Sequence, residues 1–204
     1  RLFVDSNQFK VEQVTAAERT HWLNITDDRE WRRNSISDPN ISLEDTVAAI
    51  MSVMPSRLDR VLEIGCGYGR LTREVGVMDP ATQMWGQDIS ARVLEHARRY
   101  DPATIFVCSA GGIAIPGLDA VYSVAVFQHL PHDEQLAYVR RAFGALRPGG
   151  VLRIQYVHGV HDAFNNHHTT TALMTGWFQA AGFKVIDHSI GLVHPDWAWI
   201  GGVK

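Results

Sequence analysis

The chain has 204 residues, 46% of them apolar and 20% charged, which are the proportions of a folded globular domain and not of a disordered or fibrous one. Nineteen basic side chains against twenty-two acidic ones give a net charge of −3, which argues against a broad nucleic-acid surface. Two cysteines, Cys66 and Cys108, cannot build a disulfide framework, and neither a membrane-spanning apolar run nor a charged-then-apolar leader is visible, so a cytoplasmic protein with reduced thiols and no membrane partner is expected.

The first 57 residues differ in pattern from the rest. The chain opens on Arg1 without an initiator Met, so a few residues are expected to precede it. An amphipathic stretch lies near Val11–Trp22, followed by the polar, Arg- and Trp-bearing run Asp27–Asn40. Ser42-Leu43-Glu44-Asp45 has the form of a capping box opening a helix to about Met54. Residues 1–57 are read as lid or flanking helices over a core that spans 58–204.

From residue 58 onward, short β-type runs alternate with helical patterns, which predicts a parallel α/β sheet. Arg60–Ile64 is the first strand, followed by a helix from Arg70 to about Val77 and a second strand at Ala81–Trp85. Ser90 caps a helix over Ala91–Tyr100, whose Val93, Leu94 and Ala97 make an apolar stripe. Thr104–Cys108 and Leu118–Val126 are the third and fourth strands. The helix His132–Leu146 opens on acidic residues and is stopped by Arg147-Pro148-Gly149-Gly150. Val151–Val157 is the fifth strand, Ala172–Ala181 a helix ended by Gly182, and Phe183–Ile190 and Trp197–Val203 an antiparallel pair at one edge. Trp197 and Trp199 fall on one face of the last strand and read as packing. The sum is a Rossmann-like, seven-stranded, mostly parallel sheet with helices on both faces.

Chemistry concentrates in Val61-Leu62-Glu63-Ile64-Gly65-Cys66-Gly67-Tyr68-Gly69-Arg70. A strand runs into an acid and then into glycines at alternate positions, a turn that lets a ligand lie close to the backbone at the sheet's carboxyl edge. A dinucleotide fingerprint reads G-x-G-x-x-G with its acid about twenty positions later. Here the spacing is G-x-G-x-G, and Glu63 stands two residues before the first glycine. A carboxylate there repels a pyrophosphate and suits an ammonium or sulfonium, so a nicotinamide dehydrogenase is disfavoured.

With Trp85-Gly86-Gln87-Asp88-Ile89-Ser90 placing Asp88 nineteen residues beyond Gly69, the chain resembles the class I S-adenosylmethionine-dependent methyltransferases from about Arg60 to its end. That resemblance implies S-adenosylmethionine as cofactor. Glu63 would contact its methionine part, the turn holding Gly65, Cys66 and Gly67 would cradle the methionine and ribose, Asp88 would accept from both ribose hydroxyls, and Ile89 would lie against the adenine. Many relatives carry an acid after the third strand for the adenine amino group. This chain has Cys108-Ser109-Ala110-Gly111-Gly112, so Ser109 or a backbone carbonyl takes that place. The run Asp119–Leu130 and the turn Arg147–Leu152 also resemble the family.

Eight of the ten histidines lie beyond residue 128. His129 follows the fourth strand and His158 the fifth, both at the carboxyl edge, with His161 close behind. For His129 a general base and a structural residue stand as alternatives. The run His158–His168 is rich in Asn, Asp and His; a divalent ion such as Mg²⁺ is compatible with it, but its spacing matches no established metal signature, and no metal ligand is assigned. The histidines favour methylation of an oxygen, on a small molecule or a saccharide, with His129 as the base and His158 or His161 next. A small-molecule N- or carboxyl-methyltransferase and a non-catalytic cofactor-binding module are the alternatives. A nucleic-acid base methyltransferase is set aside, since Ser123-Val124-Ala125-Val126 stands where an Asn/Asp-Pro-Pro-aromatic element is expected. With no large cap over the pocket, a homodimer is compatible with this reading.

Overall fold

The computed structural model describes residues 20–24, 41–110, 112–159 and 167–204. His161, Trp31, the polar run at 27–40 and most of the stretch at 11–22 lie outside the described residues. Helix α1 (Leu43–Met51) is followed by β1 (Arg60–Ile64), α2 (Arg70–Met78), β2 (Gln83–Asp88), α3 (Ala91–Tyr100), β3 (Ile105–Cys108) and β4 (Leu118–Ser123). After a 3-10 turn at Phe127–His129 come α4 (His132–Ala145), β5 (Leu146–Val157), α5 (Thr171–Ala181), β6 (Lys184–Ile190) and β7 (Trp197–Val203). The sheet order is β3-β2-β1-β4-β5-β7-β6; the first five are parallel, and β7 runs antiparallel to both β5 and β6.

Alternation along each strand sorts the core into two faces. Leu62, Val121, Leu152, Ile154 and Ile200 pack on one side with Tyr138, Val139 and Ala142 of α4 and Met174 and Phe178 of α5. Val61, Ala120, Tyr122, Trp197 and Trp199 pack on the other with Ala49 and Ile50 of α1 and Leu71 and Val75 of α2. A third cluster joins Val93, Leu94 and Ala97 of α3 to Cys66 and Phe106. Fully buried Phe178 shows the scale of these contacts, since truncating such a side chain to Ala costs about 3–5 kcal/mol.

Helix ends follow local chemistry. Ser42 Oγ accepts from Asp45 N–H (3.1 Å), Ser90 Oγ from Val93 N–H (3.4 Å) and Thr170 Oγ1 from Leu173 N–H (3.2 Å), each satisfying an otherwise unpaired first-turn donor. Arg153, 1% exposed, fixes α1 to the sheet: its Nε donates to Ala49 O (3.1 Å), its Nη1 pairs with Asp187, and its guanidinium lies over Trp199 (5.3 Å).

The first helix ends at Met51, not near Met54, and three further boundaries differ from the sequence expectation, each for a stated reason. β2 begins two residues later and runs on through Gly86 to Asp88, because the parallel ladder pairs Glu63 with Gly86 and Ile64 with Gln87. Gly86 belongs in that strand because Phe106 and Cys66 fill the space its Cβ would need. β4 stops at Ser123 because Ala125 takes φ +59 and gives its N–H to Gln155 Oε1 (2.7 Å) instead of to a ladder partner. Arg147–Gly150 is strand, not a turn: Leu146 pairs with Leu118, and Gly149 N–H and Gly150 O bond to Lys204.

Candidate functional site

The carboxyl ends of β1, β2, β4 and β5 open onto one cavity of about 780 Å³. Its floor is the turn after β1. Gly65, Gly67 and Gly69 all have positive φ, at +70°, +55° and +86°. Gly65 N–H and Cys66 N–H both donate to Gln87 O (2.7 and 3.0 Å), and Gly69 N–H donates to Cys66 O (2.9 Å), so the turn is bound to β2. A Cβ on Gly65 would overlap the Val126 side chain; one on Gly67 would meet nothing within 4 Å. The chain is thus closed around Gly65 and open above Gly67, where a ligand can approach the backbone.

Two acids face this floor. Asp88 is 8% exposed, its Oδ2 accepting from Gly67 N–H (3.0 Å) and its Oδ1 from Ser90 N–H (2.9 Å). Burial raises its pKa, and the backbone donors of Ser90, Gly67 and Ile89 oppose that rise. A carboxylate has about four lone-pair sites, so with these three backbone donors one remains for a ligand's hydroxyl. Glu63 is 2% exposed, and the hydroxyls of Thr72 and Tyr122 both donate to its Oε2. Burial pushes its pKa up to about 7, against the pull of those hydroxyls and of Arg70. Among the described residues no Lys or Arg forms an ion pair with it. A desolvated acid at a cavity wall, with Arg70 on the same cavity but not ion-paired to it, is a ready site for a cation.

Ile89, Ser109 and Ala110 line the same end of the cavity. The Ser109 hydroxyl donates to Gly112 O (3.0 Å) and accepts from Gly112 N–H (3.1 Å), closing its own loop and keeping one lone pair for a ligand. Cys66 also lines the cavity; burial raises its thiol pKa, which keeps it protonated and unreactive.

The far end is ringed by histidines. His21, His129, His158, His168 and His194 line it, with Glu134, Asp196 and Trp197. Trp22, on the helical residues 20–24, also lines the cavity and stands edge-on to His129, ring centroids 5.1 Å apart. Residues 167–169, just before α5, are fastened at this end: His167 N–H donates to Gln128 O (2.7 Å), His132 Nε2 to His168 O (3.1 Å), and Thr169 Oγ1 to Gln135 Oε1 (2.9 Å). Gln135 Nε2 in turn donates to Phe127 O and Leu130 O, which braces the 3-10 turn carrying His129.

Of the residues singled out in the sequence, Glu63, Gly65, Cys66, Gly67, Asp88, Ile89, Ser109, His129 and His158 therefore surround one cavity. His161 is outside the described residues. Sequence reasoning missed Thr72 and Tyr122. Tyr122 was legible in principle, since it is the β4 residue paired with Glu63, but that register requires the sheet order. His168 closes the polar run singled out in the sequence but had no role assigned to it, and His194 and Gln128 were missed because nothing in their local sequence marks a cavity. Among the described residues no group of three or more His, Cys, Asp or Glu is placed to hold a metal ion, and no helix is long and apolar enough to cross a membrane.

A glycine turn at the carboxyl edge, an acid beneath it and a second acid at the end of the next strand define an α/β domain for a nucleoside cofactor that carries a positive charge. Residues 61–150 match the family described as a methyltransferase domain. The trans-aconitate 2-methyltransferase of Rhodopseudomonas palustris strain BisA53 is 39% identical over 98 residues, covering 47% of this chain and 38% of that protein. The trans-aconitate 2-methyltransferase of Methylobacterium radiotolerans is 29% identical over 147 residues, covering 71% and 56%. The chain spans about half the length of the curated relatives it matches. Among solved structures, a TehB-like S-adenosylmethionine-dependent methyltransferase from Corynebacterium glutamicum superposes with a TM-score of 0.69 at 16% identity, covering 93% of this chain and 99% of that one. The 1,6-didemethyltoxoflavin-N1-methyltransferase of Burkholderia thailandensis, solved with S-adenosylhomocysteine, gives 0.72 at 16% identity, covering 100% and 92%. Residues 61–150 thus match a methyltransferase domain, and in sequence and fold the chain is similar to the class I S-adenosylmethionine-dependent methyltransferases, whose cofactor is S-adenosylmethionine. The unpaired acid at Glu63 and the open face of Gly67 fit that molecule.

Proposed function

We propose that the protein methylates a carboxylate oxygen of a small organic acid, using S-adenosylmethionine. The observation that carries this reading is the polarity of the cavity. Its cofactor end presents two buried acids, Glu63 and Asp88, and its other end presents five imidazoles, at His21, His129, His158, His168 and His194. When bound, S-adenosylmethionine supplies a methyl group on a sulfonium. Glu63 holds the cationic part of the cofactor, and Asp88 takes a ribose hydroxyl. The imidazoles donate to the acceptor's carboxylate and turn one oxygen toward the methyl, so that positioning supplies much of the rate. A carboxylate is already an anion near neutral pH and needs no base.

The relatives support the same reading. Trans-aconitate has only carboxylates as oxygen nucleophiles, and the proteins named for it are those to which this chain is most clearly similar among the relatives described above. No saccharide-methylating protein appears among those relatives, so the saccharide expectation has no support from them.

A hydroxyl acceptor is the second reading, favoured by His129 and His158 lying at the cavity wall, where either can take a proton. The two separate by experiment. Enzyme, S-adenosylmethionine and trans-aconitate are incubated, and the methyl ester is followed by mass spectrometry alongside S-adenosylhomocysteine release. For a carboxylate acceptor the product is a methyl ester that mild base cleaves; for a hydroxyl acceptor it is a methyl ether that mild base leaves intact. His129→Asn is expected to cost less than about tenfold in the first case and about a hundredfold or more in the second. Cofactor binding without transfer to acids or alcohols would reject both readings in favour of a binding module.

A further inference from the structure

Gln128 sits on the 3-10 turn after β4, is 7% exposed and lines the cavity. Its side-chain Oε1 is fully buried and has no hydrogen-bond partner among the described residues. Leaving such a group unmade costs free energy that a Leu of similar size would not. Of the other buried glutamines nearby, Gln135 braces the turn through Phe127, Leu130 and Thr169, and Gln155 Oε1 holds Ala125 N–H; Gln155 Nε2 also lacks a partner among the described residues, but Gln155 does not line the cavity and Gln128 does. Gln128 contributes to the fold through its main chain, where its carbonyl accepts from His167 N–H. That bond also places it against the segment just before α5, at the histidine end of the cavity, away from Asp88, Ile89 and Ser109.

We infer that Gln128 is a specificity-determining residue whose carboxamide clasps a second polar group of the acceptor, so that the protein selects polyfunctional acids over simple monocarboxylates. The inference rests on the acceptor reading of the preceding section. The carboxamide suits this task in both orientations. Its oxygen accepts from a hydroxyl or a protonated carboxyl, and a half-turn of the same planar group presents Nε2–H to a carboxylate. A site built to hydrogen-bond a substrate group rejects analogues lacking it, because the buried polar atom is then left unpaired.

The test uses Gln128→Leu in the full chain, with three readouts. Urea denaturation without ligand is expected to show the variant at least as stable as wild type, since a buried unpaired amide has been removed. Calorimetric titration with S-adenosylhomocysteine is expected to give a Kd within about twofold of wild type, well inside the tenfold that one lost hydrogen bond can cost. Turnover is measured on trans-aconitate and on crotonate, an unsaturated monocarboxylate. The variant's KM for trans-aconitate is expected to rise by about tenfold to a hundredfold, with kcat falling less, and its preference for the tricarboxylate over crotonate to collapse. A destabilised variant shows that the carboxamide serves the fold, and weakened S-adenosylhomocysteine binding shows that it serves the cofactor; each overturns the inference, as does an unchanged preference. If wild type methylates neither acid, the acceptor reading falls. The stability and titration results then still decide whether Gln128 is held unpaired for a ligand other than the cofactor.

Discussion

Replacing Glu63 with Gln separates what the site needs from what the fold would choose. In the folded protein burial lifts the Glu63 pKa from 4.5 to about 7. Between those values the folded chain holds a proton that the unfolded chain has released, so stability falls as pH rises through this window. Above about pH 7 both states are ionised and the loss stays constant, at about 3 kcal/mol for a difference of this size. A Gln at this position never ionises, and its Oε1 can still accept from the Thr72 and Tyr122 hydroxyls that bond Glu63. Urea denaturation at about pH 4, 6 and 8 is therefore expected to show wild type and Glu63→Gln nearly equal at the lowest pH, with the variant ahead by about 3 kcal/mol at the highest. Binding runs the other way. Wild-type affinity for S-adenosylhomocysteine improves as Glu63 ionises and levels off above about pH 7, whereas the variant binds more weakly and without that dependence. A stability difference that does not change with pH, or a variant less stable at pH 8, would refute the claim that Glu63 is a desolvated acid held for a cation.

Asp88→Asn puts an amide where both carboxylate oxygens accept backbone N–H bonds, from Gly67 and Ser90, so one donor must lose its partner. Denaturation is expected to register about 1–3 kcal/mol of lost stability, and calorimetry at least about a tenfold weaker S-adenosylhomocysteine complex; unchanged binding would remove Asp88 from the cofactor site. Gly65→Ala and Gly67→Ala make a matched pair, because both positions have positive φ but only the first is closed by Val126. The first is expected to cost more than about 2 kcal/mol and the second about 1 kcal/mol, with the second still weakening cofactor binding by intruding on the open face. Equal losses would show that Val126 can move aside.

Much of the architecture was legible because it rests on local chemistry. Ser90 followed by an apolar stripe and ended near Arg98 and Arg99 marked α3 at its observed limits, and the tryptophans of β7 share the face expected from strand alternation. Errors gathered where a glycine or a turn depends on a distant neighbour. Gly86 resembled the start of a loop until Phe106 and Cys66 were seen occupying its missing side chain. β4 could not be ended correctly from sequence, because the residue that diverts Ala125 is Gln155, thirty positions away. In the candidate site, Glu63 and Asp88 announced themselves through spacing to the glycines. Their partners Thr72 and Tyr122, and the unpaired amide of Gln128, arise only when the sheet order brings separate segments together.

The placement of β7 sets an order of assembly. β6 reaches the sheet only through β7, which lies between it and β5, so residues 184–190 have no partner in the sheet until residues 197–203 are in place. β5 must likewise wait for a strand some forty positions downstream to cover its outer edge. During synthesis the parallel half of the sheet, with both acids and the glycine turn, can form while its flank is still unpaired. In that interval the outer edge of β5 is open to pairing with another strand. The cofactor end of the cavity thus belongs, with His129 and His158, to the part of the molecule that can form first, whereas His168 and His194 join the cavity from the part that is completed last.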